Sequence, residues 1–206
     1  FDAFWKKAGS KGLKVEEISD KNWADYSELG LSDEELKGLM LFNTKAKCSN
    51  CHLLKPSNGK PPLFTDFKYE NLGAPKNTKN PFYSMPAEWN PEGKNWVDKG
   101  LGAFLETTKP ESAKVNLGRH KVPTVRNVDL RPSEGLVKAY FHNGFFENLK
   151  DVVHFYNTRD IKEAGWPSAE VEENINREEL GNLGLTEAEE AAIVAFLKTL
   201  SDGFII

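Results

Sequence analysis

"KAKCSNCHLL", residues 45–54, carries both cysteines of the chain, Cys48 and Cys51, with His52 directly after the second. A pair spaced in this way can be a disulfide, half of a zinc site, a redox dithiol or the anchor of a haem, and each demands different company. A disulfide between Cys48 and Cys51 would close so small a loop that it removes little entropy from the unfolded chain. A structural zinc ion wants four ligands, but there is no second cysteine pair, and His120, His142 and His154 lack the spacing of a zinc-binding histidine pair. A thioredoxin-like dithiol follows a strand in a βαβ setting, whereas a helical pattern precedes Cys48. Cys-x-x-Cys-His alone is complete as it stands. Its two thiols add to the vinyl groups of a haem and the adjacent histidine is delivered beneath the iron. The expected cofactor is therefore one covalent haem c, held by Cys48 and Cys51 with His52 as proximal axial ligand.

Working outward, "LSDEELKGLMLF" begins with Ser32 and Glu35 in capping-box spacing and continues with Leu36, Leu39 and Met40 on one stripe. This predicts a helix from about residue 33 into the Cys48 region, with Met40 as packing. "ENLKDVVHFYN" (147–157) returns to helical period. Leu149, Val152, Val153 and Tyr156 share one face, and His154 falls on another, toward solvent. Thr186 and Glu189 form a second capping box before Ala192, Ile193, Phe196, Leu197 and Leu200, a helix expected to end at Gly203.

Between these helices the pattern breaks down. Seven prolines between Pro56 and Pro91, with Gly59, Gly73 and several asparagines, predict a long loop region over about 56–120 that carries only short pieces of structure. "HKVPTVRNVDLRP" (120–132) reads as an extended segment or a single turn. Residues 1–30 mix aromatics with charge and read as an extension packed on a domain of residues 31–206. The class is mainly α: a cytochrome c-type haem domain with long irregular loops.

Composition narrows the partners. A formal net charge of −4 and the lack of any basic run interleaved with aromatics give no reason to expect a nucleic acid. No stretch approaches the roughly 18–20 apolar residues of a membrane span, so a soluble protein is expected. The chain opens Phe-Asp-Ala-Phe and reads as a processed or truncated form. Haem c is normally attached outside the bacterial cytoplasm, which makes the periplasm the expected compartment. The glutamates at 170, 172, 173, 178, 179, 187, 189 and 190 form an acidic run that either meets a basic partner or is a solvated face.

"GLMLFNTKAKCSNCH", "LFTDFKYENLG", "HKVPTVRNV", "KAYFHNGFFENLKDVVHFYN" and "LGLTEAEEAAIVAFLKTL", in this order from about residue 30 to 203, resemble the C-terminal half of bacterial dihaem cytochrome c peroxidases and of the related dihaem enzymes that mature methylamine dehydrogenase. Relative to that family the chain has a longer loop at 74–118 and an insertion at 159–182. The resemblance implies a haem that takes in or stores electrons, since the peroxide-reactive haem of the family lies in the other half and no second Cys-x-x-Cys-His is present. It also implies Tyr156 as the distal iron ligand, in the place where the peroxidases carry a methionine and the maturation enzymes a tyrosine. On its own, Tyr156 reads by default as a core tyrosine with a hydrogen-bonded hydroxyl. Met85, in a Pro-rich loop, is the alternative ligand. A His/Met pair would raise the potential, and an anionic tyrosine would lower it.

The same resemblance gives His142 a place at the haem edge and Arg126 a propionate to neutralise. It implies calcium between the two halves, with the Val137 and Ala139 carbonyls contributing. Two functions follow. One is electron transfer through a single His-ligated haem to a redox partner, such as a second haem domain or chain. The other is peroxidase-type reduction of hydrogen peroxide, which needs a distal acid–base group. A third, blander reading makes the haem a structural element of an interaction subunit.

Overall fold

The structure, a computed structural model, describes residues 1–131, 133 and 135–201. Its elements in order are α1 (Asp2–Ser10), α2 (Asp33–Asn43), β1 (Tyr69–Glu70), α3 (Leu101–Thr108), α4 (Pro110–Ala113), β2 (His120–Lys121), α5 (Leu149–Thr158) and α6 (Glu187–Lys198). Helices carry the fold, and among the described residues the one sheet is the two-residue antiparallel pair β1–β2, with Glu70 opposite His120. The mainly α class is as expected.

Both capping boxes form. Ser32 accepts from the Glu35 amide at 3.3 Å while Glu35 accepts from the Ser32 amide at 2.8 Å; Thr186 and Glu189 repeat the arrangement at the start of α6. Each satisfies two otherwise orphaned amide groups, and the acidic first turns suit the positive end of a helix dipole. The stripes predicted for α2 and α6 then meet. Leu36, Leu39 and Phe42 are buried with Ala192, Ile193, Phe196 and Leu200 in one core, and Met40 packs at its border. The crossing is close because Gly38 has no side chain: a β-carbon there would collide with the Ala192 carbonyl.

Two helix ends differ from expectation. α2 stops at Asn43 instead of running into the cysteines. Lys47 adopts left-handed dihedrals, so Cys48–Asn50 forms a separate 3-10 turn. α6 ends at Lys198, capped by Thr199; Gly203, the expected terminator, lies outside the described residues.

The Pro-rich region holds more structure than short pieces, since α3 and α4 lie within it, but from 56 to 99 it is 3-10 turns and the residues of β1. Residues 1–30 contribute to the same core through Phe4, Ala8, Val15, Ile18, Tyr26 and Leu29. The Phe1 amino group donates to the Thr199 carbonyl at 3.1 Å, and its ring packs edge-on against Phe64 and Phe196. Among the described residues no helix is long and apolar enough to cross a membrane.

Candidate haem site

A cavity of about 510 Å³ lies between α5, α6 and the Cys48–His52 turn. That is within the range of about 300–1,000 Å³ usual for cofactor sites. Cys48, Cys51 and His52 form one wall, and Leu149, Val152, Val153 and Tyr156 come from α5. Ile193 and Leu197 of α6, with Leu183 and Leu185, complete an apolar lining. The predicted α5 stripe therefore faces this cavity, whereas Phe155, outside that stripe, is fully buried against Phe141, Phe146 and Trp166.

The thiols are not joined to each other. Burial pushes both up to about 12, with Glu179, Asp66 and Glu70 adding to the effect at Cys51. Raised values of this kind do not suit a dithiol that attacks disulfides, which needs an accessible thiolate. His52 is fixed by its backbone neighbour. A carbonyl only accepts, so the contact of 3.0 Å between His52 Nδ1 and the Phe64 carbonyl makes Nδ1 the protonated nitrogen. Nε2 is then left with its lone pair, the tautomer a metal-ligating histidine needs. Burial also lowers the His52 pKa, keeping the ring neutral. Phe64 itself is fully buried with φ of 52°, a left-handed conformation that side chains rarely adopt. Strain of this kind is sustained only where the surroundings over-determine it.

Tyr156 of α5 lines the same cavity. Burial raises its phenol pKa, and the Cys48 and Cys51 thiols add to the effect. Its hydroxyl bonds to no group among the described residues. The site fits a haem: two thiols not joined to each other, a histidine whose Nδ1 is turned to a backbone carbonyl, apolar walls and a phenol on the same cavity.

Two other expected residues are elsewhere. Met85 is 42% exposed in the Pro-rich loop and does not line the cavity. Arg126 also stands off the cavity wall. Its guanidinium meets Asp2 at 2.9 Å, donates to the Pro62 carbonyl and lies over the Phe64 ring, so it clamps α1 to the loop that positions His52. The cations that do line the cavity are Lys47, Lys121 and Lys138. Nothing in their spacing singled them out in the sequence. His142 does reach the cavity wall, stacked on His120.

The 159–182 insertion covers the cysteine side. Arg159, at the end of α5, donates to the carbonyls of Leu72 and Asn176 and pairs with Asp160 at 2.7 Å. Asn176 and Asn50 both donate to Glu179, whose carboxylate lies 3.9 Å from the Cys51 sulfur. The acidic run is thus more than a solvated face: Glu179 lines the cavity, and the side chains of Glu170 and Glu190 are 3% and 5% exposed. His154 likewise points at protein rather than only at water, its Nδ1 donating to Glu190 at 3.0 Å.

The chain is similar to several known proteins. It is 30% identical over 189 residues to the cytochrome-c peroxidase IdrP1 of Denitromonas iodatirespirans, covering 87% of this chain and 43% of that protein. It is 32% identical over 167 residues to the methylamine utilization protein MauG of Paracoccus denitrificans, covering 75% of this chain and 39% of that one. The crystal structure of the diheme peroxidase BthA from Burkholderia thailandensis matches with a TM-score of 0.62 and 27% identity, over 94% of this chain and 48% of that chain. The chain thus spans less than half the length of the curated relatives it matches. No protein-family model matches it.

Proposed function

Because the chain belongs to the dihaem cytochrome c peroxidase and MauG family, matching somewhat less than half of its members' length, we propose that it is a haem c electron-transfer unit. In this reading Cys48 and Cys51 would hold a single haem covalently, and His52 and Tyr156 would ligate its iron. The observation that carries it is that His52, its Nδ1 turned to the Phe64 carbonyl, and the half-buried Tyr156, whose hydroxyl bonds to no group among the described residues, line the same cavity.

Bound haem supplies one-electron chemistry. The protein's residues decide how that chemistry is used. The Phe64 carbonyl holds the His52 ring in one tautomer and one orientation. Tyr156 closes the opposite side, and a nearby ferric charge would offset the burial that otherwise keeps its phenol protonated. An anionic oxygen ligand favours the ferric state and so a low potential. Leu149, Val152, Val153 and Leu197 exclude water from the space between. Lys47, Lys121 and Lys138 also line the cavity, and their ammonium groups donate to the carbonyls of Glu178, of Val122, and of Asn127 and Leu130, so a propionate would have to compete with these bonds.

The proposal includes a redox protein as partner, a second haem domain or chain among the candidates, and a periplasmic location suited to covalent haem. The Val137 and Ala139 carbonyls would hold calcium only together with such a second domain. Peroxidase turnover is the competing reading. It requires an open iron face, and the relatives named as peroxidases are about twice as long.

Optical and electron-paramagnetic-resonance spectra of the ferric holoprotein test the reading. A low-spin signal is expected, altered by Tyr156→Phe and indifferent to Met85→Leu. A high-spin signal in the unsubstituted protein, or bands unmoved by Tyr156→Phe, would overturn it.

A further inference from the structure

His142 and His120 lie stacked beside the haem cavity, with ring centroids 3.5 Å apart and planes 7° from parallel. One donor atom each from Asp98, His120 and His142 lie within 4.8 Å of one another. Backbone contacts bring these residues together. The Leu101 amide donates to the Arg119 carbonyl at 2.8 Å, and Gly100, at φ of 55°, presses so closely on that carbonyl that a β-carbon would not fit. Asp98 is thereby held next to His120. The Gly100 amide donates to Asp98 Oδ1 at 2.9 Å, which orients the carboxylate.

A fourth group faces the same place. The Glu170 side chain is 3% exposed, and its two oxygens have unequal surroundings. Oε1 accepts from the Tyr83 hydroxyl at 3.0 Å and from the Asp98 amide at 3.3 Å. Oε2 is buried with no hydrogen-bond partner and lies 4.0 Å from His142 Nε2. A sealed carboxylate oxygen without a donor is costly, on the order of 1–3 kcal/mol or more for a charged group. Two carboxylates and two imidazoles come together here, and the unpartnered Oε2 faces His142.

We propose that Asp98, His120, His142 and Glu170 form a binding site for one divalent transition-metal ion of the zinc class, separate from the haem iron. Two imidazole nitrogens and two carboxylate oxygens are a borderline donor set of the kind such ions take. Two negative charges match the charge of the ion. With bonds of about 2.0–2.1 Å, tetrahedral ligands stand roughly 3.3 Å apart, so the spacings among Asp98, His120 and His142, up to 4.8 Å, close by up to about 1.5 Å, and Glu170, 4.0 Å from His142 but outside that group of three, must swing toward the other two. One imidazole must also turn about its Cβ–Cγ bond, because the lone pairs of parallel rings do not converge on one point. Both movements are within side-chain freedom. An ion at this place would fix His142 on the cavity wall.

The test is zinc binding by the haem-loaded protein. After exposure to a chelator the holoprotein is titrated with zinc, and the bound ion is examined by X-ray absorption at the zinc edge, where haem iron does not interfere. One zinc per chain is expected, with two imidazoles in its ligand shell. Glu170→Gln and Asp98→Asn, neither on the cavity wall, are each expected to weaken binding at least tenfold and to leave the haem spectrum as it was. Less than one zinc per chain, a shell without imidazole, or an affinity unchanged in both variants would overturn the site. A misfolded variant would be recognised by a changed haem spectrum, and the other variant, together with the ligand shell of the unsubstituted protein, would decide.

Discussion

The Nδ1–H of His52 donates to the carbonyl of Phe64, a residue held at φ of 52° with its ring fully buried. The bond sets the tautomer, and the ring's burial sets where the carbonyl points. Phe64 packs against Phe1, Phe42 and Phe196, and Arg126 lies over it. Replacing it by alanine keeps the carbonyl but removes the packing that fixes it, and alanine is no more at ease at this φ. Phe64→Ala is expected to cost about 3–5 kcal/mol in denaturant unfolding. It should also broaden the ferric resonance signal of the holoprotein, because the His52 plane is no longer held in one orientation. A sharp, unshifted signal in a destabilised variant would show that the carbonyl is positioned by the backbone alone.

Gly38 is the point where α2 rests on α6. A β-carbon there would overlap the Ala192 carbonyl, and backbone on both sides leaves no flexible side chain to yield. Gly38→Ala, which raises intrinsic helix propensity, is nevertheless expected to destabilise the protein by about 1–3 kcal/mol through forced separation of the helices. Gly9→Ala on α1, where a β-carbon meets nothing within 4 Å, serves as the control and should be neutral or slightly stabilising. Equal effects at the two sites would refute the close-crossing account.

The sequence made the helices and the cofactor motif legible because their signals are local. Capping boxes span four residues, apolar stripes repeat each turn, and Cys-x-x-Cys-His is contiguous. The Tyr156 stripe pointed at the cavity for the same reason. What escaped was set by contacts between distant segments. Arg126 was expected near the haem, but Asp2 claims it from the other end of the chain. His154 read as solvated because its partner, Glu190, sits on α6. The acidic run looked uniform in sequence although three of its glutamates turn inward, and the stacking of His120 on His142 depends on β2 meeting a turn from a distant part of the chain.

Asn157 closes a buried polar network that joins α5 to α6. Its Nδ2 donates to the Leu185 carbonyl at 2.9 Å and to Glu190 at 2.6 Å, and its Oδ1 accepts from the Leu185 amide at 2.9 Å. Leucine at this position would leave the Leu185 amide and carbonyl without these partners and deprive the Glu190 carboxylate of a donor. A loss of about 2–4 kcal/mol is expected for Asn157→Leu, from unsatisfied groups at about 1–3 kcal/mol each with partial relaxation. Unfolding of the holoprotein in urea measures it. A loss under about 0.5 kcal/mol, the scale of a surface substitution, would mean that the network is dispensable.

Asp160 links the end of α5 to the insertion over the cysteines. It pairs with Arg159 at 2.7 Å and Arg177 at 3.0 Å, and its amide donates to the Gly181 carbonyl. The hydrogen bonds from Arg159 hold its carboxyl below the usual value of 3.8, with the charges of Arg159 and Arg177 adding to the effect. The folded state therefore binds this proton more weakly than the unfolded state does. The stabilisation is complete above the unfolded value and is lost as pH falls through the lower, folded value. Asp160→Asn removes the charge and keeps the shape. It is expected to be about 1–3 kcal/mol less stable than the parent at pH 7, as befits charge-assisted hydrogen bonds to the nearly buried Arg159, with the gap narrowing steadily below about pH 4. Urea unfolding at pH 7, 5, 4 and 3 gives the difference directly. A gap that stays constant to pH 3 would place the energy in shape and packing, and not in the ion pair.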